Sequence, residues 1–413
     1  MKTRNQAASS PTKRREESVR SGDSKVGQCI LPAQQGFHIG IGENWIAMIS
    51  DHPGTRVSAG QAGSPPYLSS RSRATFWPGR GARPTVWIVA LLALLCVGLP
   101  ASAFAAQKLI PVTMQLDWKP NVQFAGLLLA KEKGYYAEAG LDVTILPVDK
   151  EMKVAENVAA GTNWIGCSES GVLINARAEG LPIKAFATMF QGSPFCLMSL
   201  KSKGITEPKH LVGMKLGVHP DANKALDIVL AHAGVDRAKM TCIDVEHSTK
   251  PLTSGQVDVL MGYLIDEAVA LETAGYAINV IPGYDHGYVA YSQVYFTGEE
   301  FLKRDPATVR KFLEASNRGW REAFRDIPGT AKFVVEKFMP DADLKYQTKS
   351  LEKIAAISSR ETGPEKLGMM GFERWAEMCA VFEKSKVLKK PVTPAEMTDF
   401  SVLRAIYPGG NPK

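Results

Sequence analysis

Pro111-Val-Thr-Met-Gln-Leu-Asp-Trp-Lys-Pro-Asn-Val-Gln-Phe-Ala-Gly126 is the stretch that decides the fold of this 413-residue chain. Apolar and polar residues alternate in its first half, which predicts a β-strand. Pro120 has no N–H for a ladder hydrogen bond and ends the strand. The residues from Val122 to Lys133 then predict a helix that ends at Gly134. A strand that leads through a short loop into a helix is the repeating unit of α/β proteins.

The same unit recurs along the chain and predicts two α/β lobes. Further strands are predicted at 142–148, 164–167, 183–189, 211–218, 241–245, 257–261 and 277–281. Because strands alternate with helices, we expect parallel sheets with right-handed crossovers. Extended segments at 195–200 and 288–296 are predicted to cross between the lobes. After residue 299 the pattern predicts helices at 306–325, 328–338 and 366–382.

These elements predict a division into five segments. Residues 1–79 form a disordered or wrongly included leader, and residues 80–105 form a signal peptide. Lobe 1 covers residues 106–194 and lobe 2 covers residues 195–291. Residues 292–413 supply a return strand and C-terminal helices that pack on lobe 1.

The signal peptide is predicted from an apolar run at Val86–Leu99, which Arg80 and Arg83 precede. The small-residue pattern Ala103-x-Ala105 follows the run and favours cleavage there. We expect the exported protein to begin at Ala106 or Gln107, and a start codon assigned too far upstream explains the leader. An uncleaved segment at 86–106 would instead anchor the protein in a membrane.

Charge and cysteine usage exclude two classes of function. The first 105 residues hold 12 of the 49 Lys+Arg and 5 of the 42 Asp+Glu, which leaves 37 charges of each sign in the body. A neutral body argues against a nucleic-acid partner. The body's four cysteines are widely spaced and form no CxxC motif, so we expect no metal site. An exported protein could pair some of them, but we expect four small buried hydrophobes.

Five stretches carry a resemblance to a known family. They are Leu116-Asp-Trp-Lys-Pro-Asn121, Ala130-Lys-Glu-Lys-Gly-Tyr-Tyr-Ala-Glu-Ala-Gly-Leu-Asp-Val143, Leu211-Val-Gly-Met-Lys-Leu-Gly-Val218, Gly255-Gln-Val-Asp-Val-Leu-Met-Gly-Tyr263 with Glu267, and Asp305-Pro-Ala-Thr-Val-Arg-Lys-Phe-Leu-Glu-Ala315. With them, residues 109–335 resemble the type II solute-binding proteins of ABC transporters. The resemblance is to the branch with alkanesulfonate binders, formylaminopyrimidine binders and the fungal thiamine-pyrimidine synthase.

The resemblance implies a type II periplasmic-binding-protein fold, with two α/β lobes joined by two crossing strands. The fungal synthase of this family uses a His after strand one, a Lys after the Gly of the second helix, and a Cys-rich motif. The matching positions here are Phe124, Thr162 and the segment Gly287–Tyr291. The reactive groups are absent, so the resemblance implies binding without catalysis.

Polar and aromatic residues at the predicted ends of the strands are the candidate ligand-binding residues in lobe 1. Trp118 could stack on a flat heterocycle or pack between strand and helix. Asp117 stands beside it, and Asn121 could bind the ligand, cap its helix, or do both. At the next two strand ends the candidates are Ser168, Glu169 and Gln191, with Ser170 and Ser193 beside them. One serine of the 168–170 group is expected to cap the following helix.

In lobe 2 the candidates are Tyr263, Glu267 and Tyr291. Tyr263 and Glu267 are four residues apart and are predicted to share one face at the start of a helix. The Glu267 carboxylate could accept two hydrogen bonds from an aminopyrimidine edge, or it could only favour the helix dipole. The resemblance favours the binding role. Tyr291 adjoins the return crossing and could form an aromatic wall. Asp221 is expected to cap a helix whose amino end would otherwise suit an anion.

The resulting hypothesis is a monomeric periplasmic protein that binds a small thiamine-precursor-like pyrimidine. It would hand this ligand to the membrane permease of an ABC importer and would need no cofactor. An alkanesulfonate or another small organic anion is the alternative ligand. A thiamine-pyrimidine synthesis enzyme and a membrane-tethered sensor are the alternatives of other classes.

Overall fold

The computed structural model describes residues 108–148, 151, 153–219, 222–384 and 388–409. The predicted leader, the signal segment and the helix cap at Asp221 lie outside the described residues. Among the helices of the described ranges, none combines the length and the apolar character that a membrane span needs.

The strands follow the predicted alternation closely. They are β1 Ile110–Gln115, β2 Leu141–Leu146, β3 Trp164–Ser168, β4 Ile183–Phe190, β5 Phe195–Leu200, β6 Lys215–Val218, β7 Thr241–Asp244, β8 Val259–Tyr263, β9 Ile278–Pro282 and β10 Ser292–Gly298. In β1, Val112 and Met114 are buried while Thr113 between them is partly exposed. This is the period of two that a strand with one covered face requires.

The first sheet has the order β2-β1-β3-β10-β4. Its strand β1 runs parallel to β2 and β3, whereas β10 runs antiparallel to β3 and β4. The expectation of an all-parallel sheet is therefore wrong at one strand. The chain returns from the second sheet to supply β10, and the return reverses the direction of that strand.

The second sheet repeats this arrangement in the order β7-β6-β8-β5-β9. Here β6 runs parallel to β7 and β8, and β5 runs antiparallel to β8 and β9. The two predicted crossing segments thus each supply the antiparallel strand of a sheet. The α/β class of fold, with two similar sheets, is confirmed.

Helices connect the strands and dominate the C-terminal third. They are α1 Ala125–Glu132, α2 Tyr135–Glu138, α3 Val154–Ala160, α4 Ser170–Ala178, α5 Asn223–His232, α6 Lys250–Thr253, α7 Glu267–Thr273, α8 Glu299–Arg304, α9 Pro306–Arg325, α10 Ile327–Phe338, α11 Leu344–Ser359, α12 Phe372–Lys384, α13 Pro394–Met397 and α14 Ser401–Ile406. The bounds predicted for α9 are confirmed.

Two predicted elements begin later in the structure than expected, and four helices after residue 298 (α8, α11, α13 and α14) were not predicted. The return strand was predicted from Tyr288 but begins at Ser292, because the backbone at 288–291 bonds to loops: the Ala290 and Tyr291 carbonyls accept from Ser193 and Ser170. The helix predicted from residue 366 begins at residue 372. The unpredicted α11 is capped by Asp343, whose Oδ1 accepts from the Tyr346 N–H at 2.9 Å.

The C-terminal segment packs against the first sheet. Thr398 and Gly368 form isolated bridges to Ala185 and Thr188 of β4. The fully buried Trp320 of α9 donates its indole N–H to the Tyr295 hydroxyl of β10 at 2.9 Å. These contacts support the proposal that residues 292–413 complete lobe 1.

The cysteines mostly match their expected role. Cys167, Cys196 and Cys379 are buried free thiols, and burial raises the pKa of each. Cys242 is exposed, so its predicted burial is wrong. It lies in β7, which is an edge strand of the second sheet.

Candidate functional site

The carboxyl ends of β1, β3 and β4 lie at one edge of the first sheet and bring polar groups together. The Cys167 thiol donates a long contact of 3.6 Å to Asp117 Oδ1, and the Ser193 hydroxyl donates to Glu169 Oε1 at 3.2 Å. This edge is where open α/β sheets bind their ligands. Two of the predicted residues, Asp117 and Glu169, therefore belong to one group of polar side chains at this edge.

Asp117 has an unusual protonation equilibrium. Burial raises the pKa of its carboxyl to about 7, the nearby negative charge of Glu169 adds to the rise, and the hydrogen bond from Cys167 opposes it. A carboxyl group with a pKa near neutrality can accept or donate a hydrogen bond. Such a group can pair with either protonation state of a ring nitrogen.

Trp118 and Asn121 lie in the loop between β1 and α1. Trp118 keeps 37 % of its surface exposed, which is more than the alternative of a Trp packed between strand and helix predicts. The Asn121 side chain accepts from the Gln123 N–H at 2.7 Å and so caps the short 3-10 turn at Val122–Phe124. The cap is confirmed, and ligand binding by either residue stays a prediction.

The serine group after β3 differs from expectation. Helix α4 begins after Glu169, and no side chain caps it. The Ser170 hydroxyl instead donates to the Tyr291 carbonyl at 2.9 Å, and Ser168 is buried within β3. The predicted capping serine is thus wrong, because the cap position falls on Glu169, with Ser168 still in the strand and Ser170 already in the helix.

Gln191 and Tyr291 are turned toward the C-terminal segment. The Gln191 amide donates to the Met369 carbonyl at 2.8 Å, and the Tyr291 hydroxyl accepts from the Gly371 N–H at 2.9 Å. Only 1 % of Gln191 and 3 % of Tyr291 is exposed. This placement leaves little of either side chain for a ligand to contact, and their binding role stays a prediction.

Tyr263 and Glu267 do not share a helix face. Tyr263 ends β8 and Glu267 begins α7, with a turn between them. The Glu267 Oε2 atom accepts from the backbone N–H of Tyr263 at 2.9 Å. The Glu267 side chain therefore folds back onto the end of strand β8. The prediction that Tyr263 and Glu267 share one face of a helix is wrong.

Glu267 is one of three ionisable side chains gathered at the carboxyl ends of β6, β7 and β8. His219 directly follows β6, and His247 follows β7. Their rings stack with centroids 4.1 Å apart, and His247 Nδ1 lies 3.8 Å from Glu267 Oε1. Burial alone would raise the pKa of Glu267, but hydrogen bonds from His247 and the Tyr263 N–H bring it below its usual value.

Sequence reasoning missed both histidines. His219 opens the loop after the predicted strand 211–218, so the rule that sites lie at strand ends could have found it. The expectation of no metal site considered cysteines alone. The structure brings together three side chains of ligating type, His219, His247 and Glu267, within one strand-end cluster.

Comparisons with known proteins agree with this architecture. Residues 121–328, just over half of the chain, match the family model described as NMT1/THI5 like. The riboflavin-binding protein RibY of Chloroflexus aurantiacus is 27 % identical over 300 residues, which cover 70 % of this chain and 84 % of that protein. The formylaminopyrimidine-binding protein of Halalkalibacterium halodurans is 26 % identical over 295 residues, which cover 69 % and 88 %.

Relatives of another kind and solved structures complete the comparison. A 4-amino-5-hydroxymethyl-2-methylpyrimidine phosphate synthase of Legionella pneumophila is 26 % identical over 215 residues, covering 50 % of this chain and 67 % of that enzyme. A putative periplasmic sulfonate-binding protein of Methylobacillus flagellatus superposes with a TM-score of 0.57 at 16 % identity, covering 72 % and 94 %. The structural likeness shows the fold alone.

Proposed function

Because the chain belongs to the NMT1/THI5-like family, we propose that it is a periplasmic solute-binding protein that delivers a small thiamine-precursor-like pyrimidine to the permease of an ABC importer. Two of the relatives described above are named as binding proteins, which supports a solute-binding role. One of them is named for a formylaminopyrimidine, which supports the class of ligand.

The observation that carries the proposal is the distribution of carboxylates. Asp117 and Glu169 follow strands of the first sheet, and Glu267 follows a strand of the second. An aminopyrimidine offers a ring nitrogen and an exocyclic amine, and such an edge forms strong paired hydrogen bonds with carboxyl groups. A sulfonate would meet like charges at the same positions, so the alternative of an organic anion is disfavoured.

Trp118 supplies the apolar part of the proposed recognition. Its ring is exposed beside Asp117, where a flat heterocycle could stack on it. Aromatic stacking contributes about 0.5–1.5 kcal/mol beyond the area that it buries. Stacking and paired hydrogen bonds together favour a heteroaromatic amine over an aliphatic solute.

The positions that match the reactive residues of the synthase support binding without catalysis. Phe124 is fully buried in the core of the first sheet, and Thr162 lies in an exposed turn before β3. Neither residue is the His or Lys that the resemblance places at the matching position, and phenylalanine has no basic or nucleophilic group. The proposed work of the protein is closure of two lobes about the strands β5 and β10, with the bound ligand favouring the closed state.

Isothermal titration calorimetry against three classes of ligand tests the proposal. We expect 4-aminopyrimidines to bind with one site per chain, and alkanesulfonates to give no heat of binding. Riboflavin is the third ligand, because one relative is named for it. Binding of sulfonates alone, or turnover of an aminopyrimidine seen by mass spectrometry, would remove the proposal.

A further inference from the structure

We infer that His219, His247 and Glu267 form a binding site for a first-row divalent transition metal such as Zn²⁺. One ligating atom from each side chain lies within 4.8 Å of the other two. Two imidazoles and one carboxylate are a donor set that suits Zn²⁺ and its neighbours rather than Mg²⁺ or Ca²⁺. The inference does not depend on the identity of the organic ligand.

The hydrogen bonding of His219 provides independent support. Its Nδ1 atom lies 3.1 Å from the Val245 carbonyl oxygen, which can only accept, so the proton of the neutral ring sits on Nδ1. The lone pair is then on Nε2. That atom is buried and has no hydrogen-bond partner among the described residues, in a side chain that is 1 % exposed.

This is the arrangement that metal-ligating histidines adopt. A backbone carbonyl that accepts from the outer ring nitrogen fixes the tautomer and aims the inner lone pair at the metal. A buried polar atom without a partner is otherwise destabilising, because it has lost its hydrogen bonds to water. A metal ion at this position would satisfy Nε2 and remove that penalty.

The surroundings of the cluster show how the site would close. Zn²⁺ holds nitrogen and oxygen ligands at about 2.0–2.2 Å, which places them about 3.3–3.6 Å apart in a tetrahedron. The cluster must therefore contract, and the stacked His247 ring must turn to aim a nitrogen at the ion. The His247 side chain is 37 % exposed, which gives its ring room to turn, whereas Glu267 is held by the Tyr263 N–H.

Three protein ligands leave one tetrahedral position open, as in catalytic and ligand-exchanging zinc sites. The three residues stand at the carboxyl ends of adjacent parallel strands, where solutes bind in α/β folds. The open position could thus take water or a nitrogen atom of a bound heteroaromatic solute.

The experiment is a titration of the untagged full chain with Zn²⁺ against a competing chelator, followed by Co²⁺ absorption spectra. We expect one equivalent of tightly bound metal and the visible bands of tetrahedral cobalt without thiolate charge transfer. His219→Gln and His247→Gln should each weaken binding roughly 100-fold or more, since loss of a supporting partner alone costs about 10–100-fold. His247 is exposed, so its variant should fold even if His219→Gln does not.

Two matched variants control for binding elsewhere. His210→Gln removes an exposed histidine that pairs with Glu207 at 3.3 Å, and Cys242→Ser removes the exposed thiol. Both should bind metal as the unchanged protein does. No binding by the unchanged chain, or loss of binding in a control variant alone, would overturn the inference.

Titrations with an aminopyrimidine, in chelator and in Zn²⁺, separate this inference from the proposed function. Metal binding without any aminopyrimidine binding would leave the metal site and remove the proposed solute. The reverse result would remove the metal site and leave the solute.

Discussion

Glu267, the first residue of α7, is a buried carboxylate that contacts the end of strand β8. Its side chain is 6 % exposed, yet its carboxylate is ionised, because the Tyr263 N–H and the neighbouring His247 compensate the burial. A buried carboxylate of this kind is positioned in advance, so it loses little freedom when it pairs with a ligand or an ion.

Glu267→Gln keeps the shape of the side chain and removes its charge. Hydrogen bonds to charged groups contribute about 1.5–3 kcal/mol, so we expect aminopyrimidine affinity to fall roughly tenfold to a hundredfold. Because Glu267 is buried and bonded, we also expect a loss of about 1 kcal/mol in the free energy of unfolding. Tryptophan fluorescence titrations and urea melts measure the two effects.

Glu272→Gln is the matched control for that substitution. Glu272 lies on the same helix, α7, and pairs with Lys353 at 3.1 Å on the surface. Exposed ion pairs contribute little, so both affinity and stability should stay unchanged. Equal affinity of the Glu267 and Glu272 variants would take Glu267 out of the site.

Asp117 makes stability depend on pH. Its folded pKa of about 7 is raised from 3.8, so the folded state holds a proton that the unfolded state has lost. The stabilisation is fully present below pH 3.8 and is lost as pH rises through 7. Each pKa unit corresponds to about 1.4 kcal/mol, and partial exposure of the side chain to solvent reduces the total to about 1–2 kcal/mol.

Asp117→Asn should remove this dependence. We expect the stability of the variant relative to the unchanged protein to rise by about 1–2 kcal/mol between pH 4 and pH 7, and to stay level above pH 7. Chemical denaturation at several pH values measures it. A constant difference between the two proteins across that range would contradict the raised pKa.

Asp117 and Glu267 could be proposed as site residues from the sequence, because each follows a strand and strand ends can be recognised from local alternation. Gln191 and Tyr291 follow strand and crossing signals equally well, but their partners Met369 and Gly371 are remote in sequence. Local patterns contain no information about such partners. The rule that sites lie at strand ends therefore identifies candidate positions, but it cannot tell which side chains already form hydrogen bonds within the protein.

At the scale of elements, the contact between α1 and α9 depends on two glycines. A Cβ atom at Gly319 of α9 would lie 2.1 Å from the Gly126 carbonyl oxygen of α1 and 2.8 Å from Ala130 Cβ. The Trp320 ring covers Gly126 so closely that a Cβ there would lie 2.2 Å from it. The absence of side chains at these two positions lets the two helices approach each other closely.

Gly319→Ala tests this contact through the sign of its effect. Alanine is a better helix former than glycine by about 1 kcal/mol, which alone would stabilise α9. The clash with backbone atoms should dominate and lower the free energy of unfolding by about 1–3 kcal/mol. Glu314→Ala on the exposed face of the same helix should change stability by less than about 0.5 kcal/mol. A more stable Gly319 variant would contradict the close packing.

Local boundary signals predicted some elements but not all of them. Pro306 follows the capping Asp305, whose side chain accepts from the Thr308 N–H at 3.1 Å, and the predicted bounds of α9 match. Helix α11 has an equivalent cap at Asp343 but was missed. The position of β10 between β3 and β4 follows from pairing across more than a hundred residues, which no local pattern specifies.

At the scale of the whole molecule, the two sheets have the same arrangement of strands, and the chain passes between them twice. The chain leaves the first sheet to form β5 and returns to form β10. Helix α11 adds a third link, since its Ser350 hydroxyl donates to the Ile265 carbonyl at 2.7 Å, two residues before Glu267. A movement of the second sheet therefore has to pivot near these three links.

Such a pivot predicts a measurable closure when ligand binds. With aminopyrimidine at 100 times its dissociation constant, we expect stabilisation of the folded state by about 2.7 kcal/mol, because the ligand binds only that state.

Closure should also reduce the radius of gyration measured by small-angle X-ray scattering, since groups at the ends of strands in both sheets must contact one small molecule. In Trp118→Ala the loss of the partly exposed ring should weaken stacking, so both responses should shift to higher ligand concentration. Saturation of the unchanged protein without any decrease in the radius of gyration would mean that the ligand binds to one sheet alone. The carboxylates of the two sheets would then have separate roles. Asp117 and Glu169 would bind the solute, and Glu267 would bind the metal ion together with the two histidines.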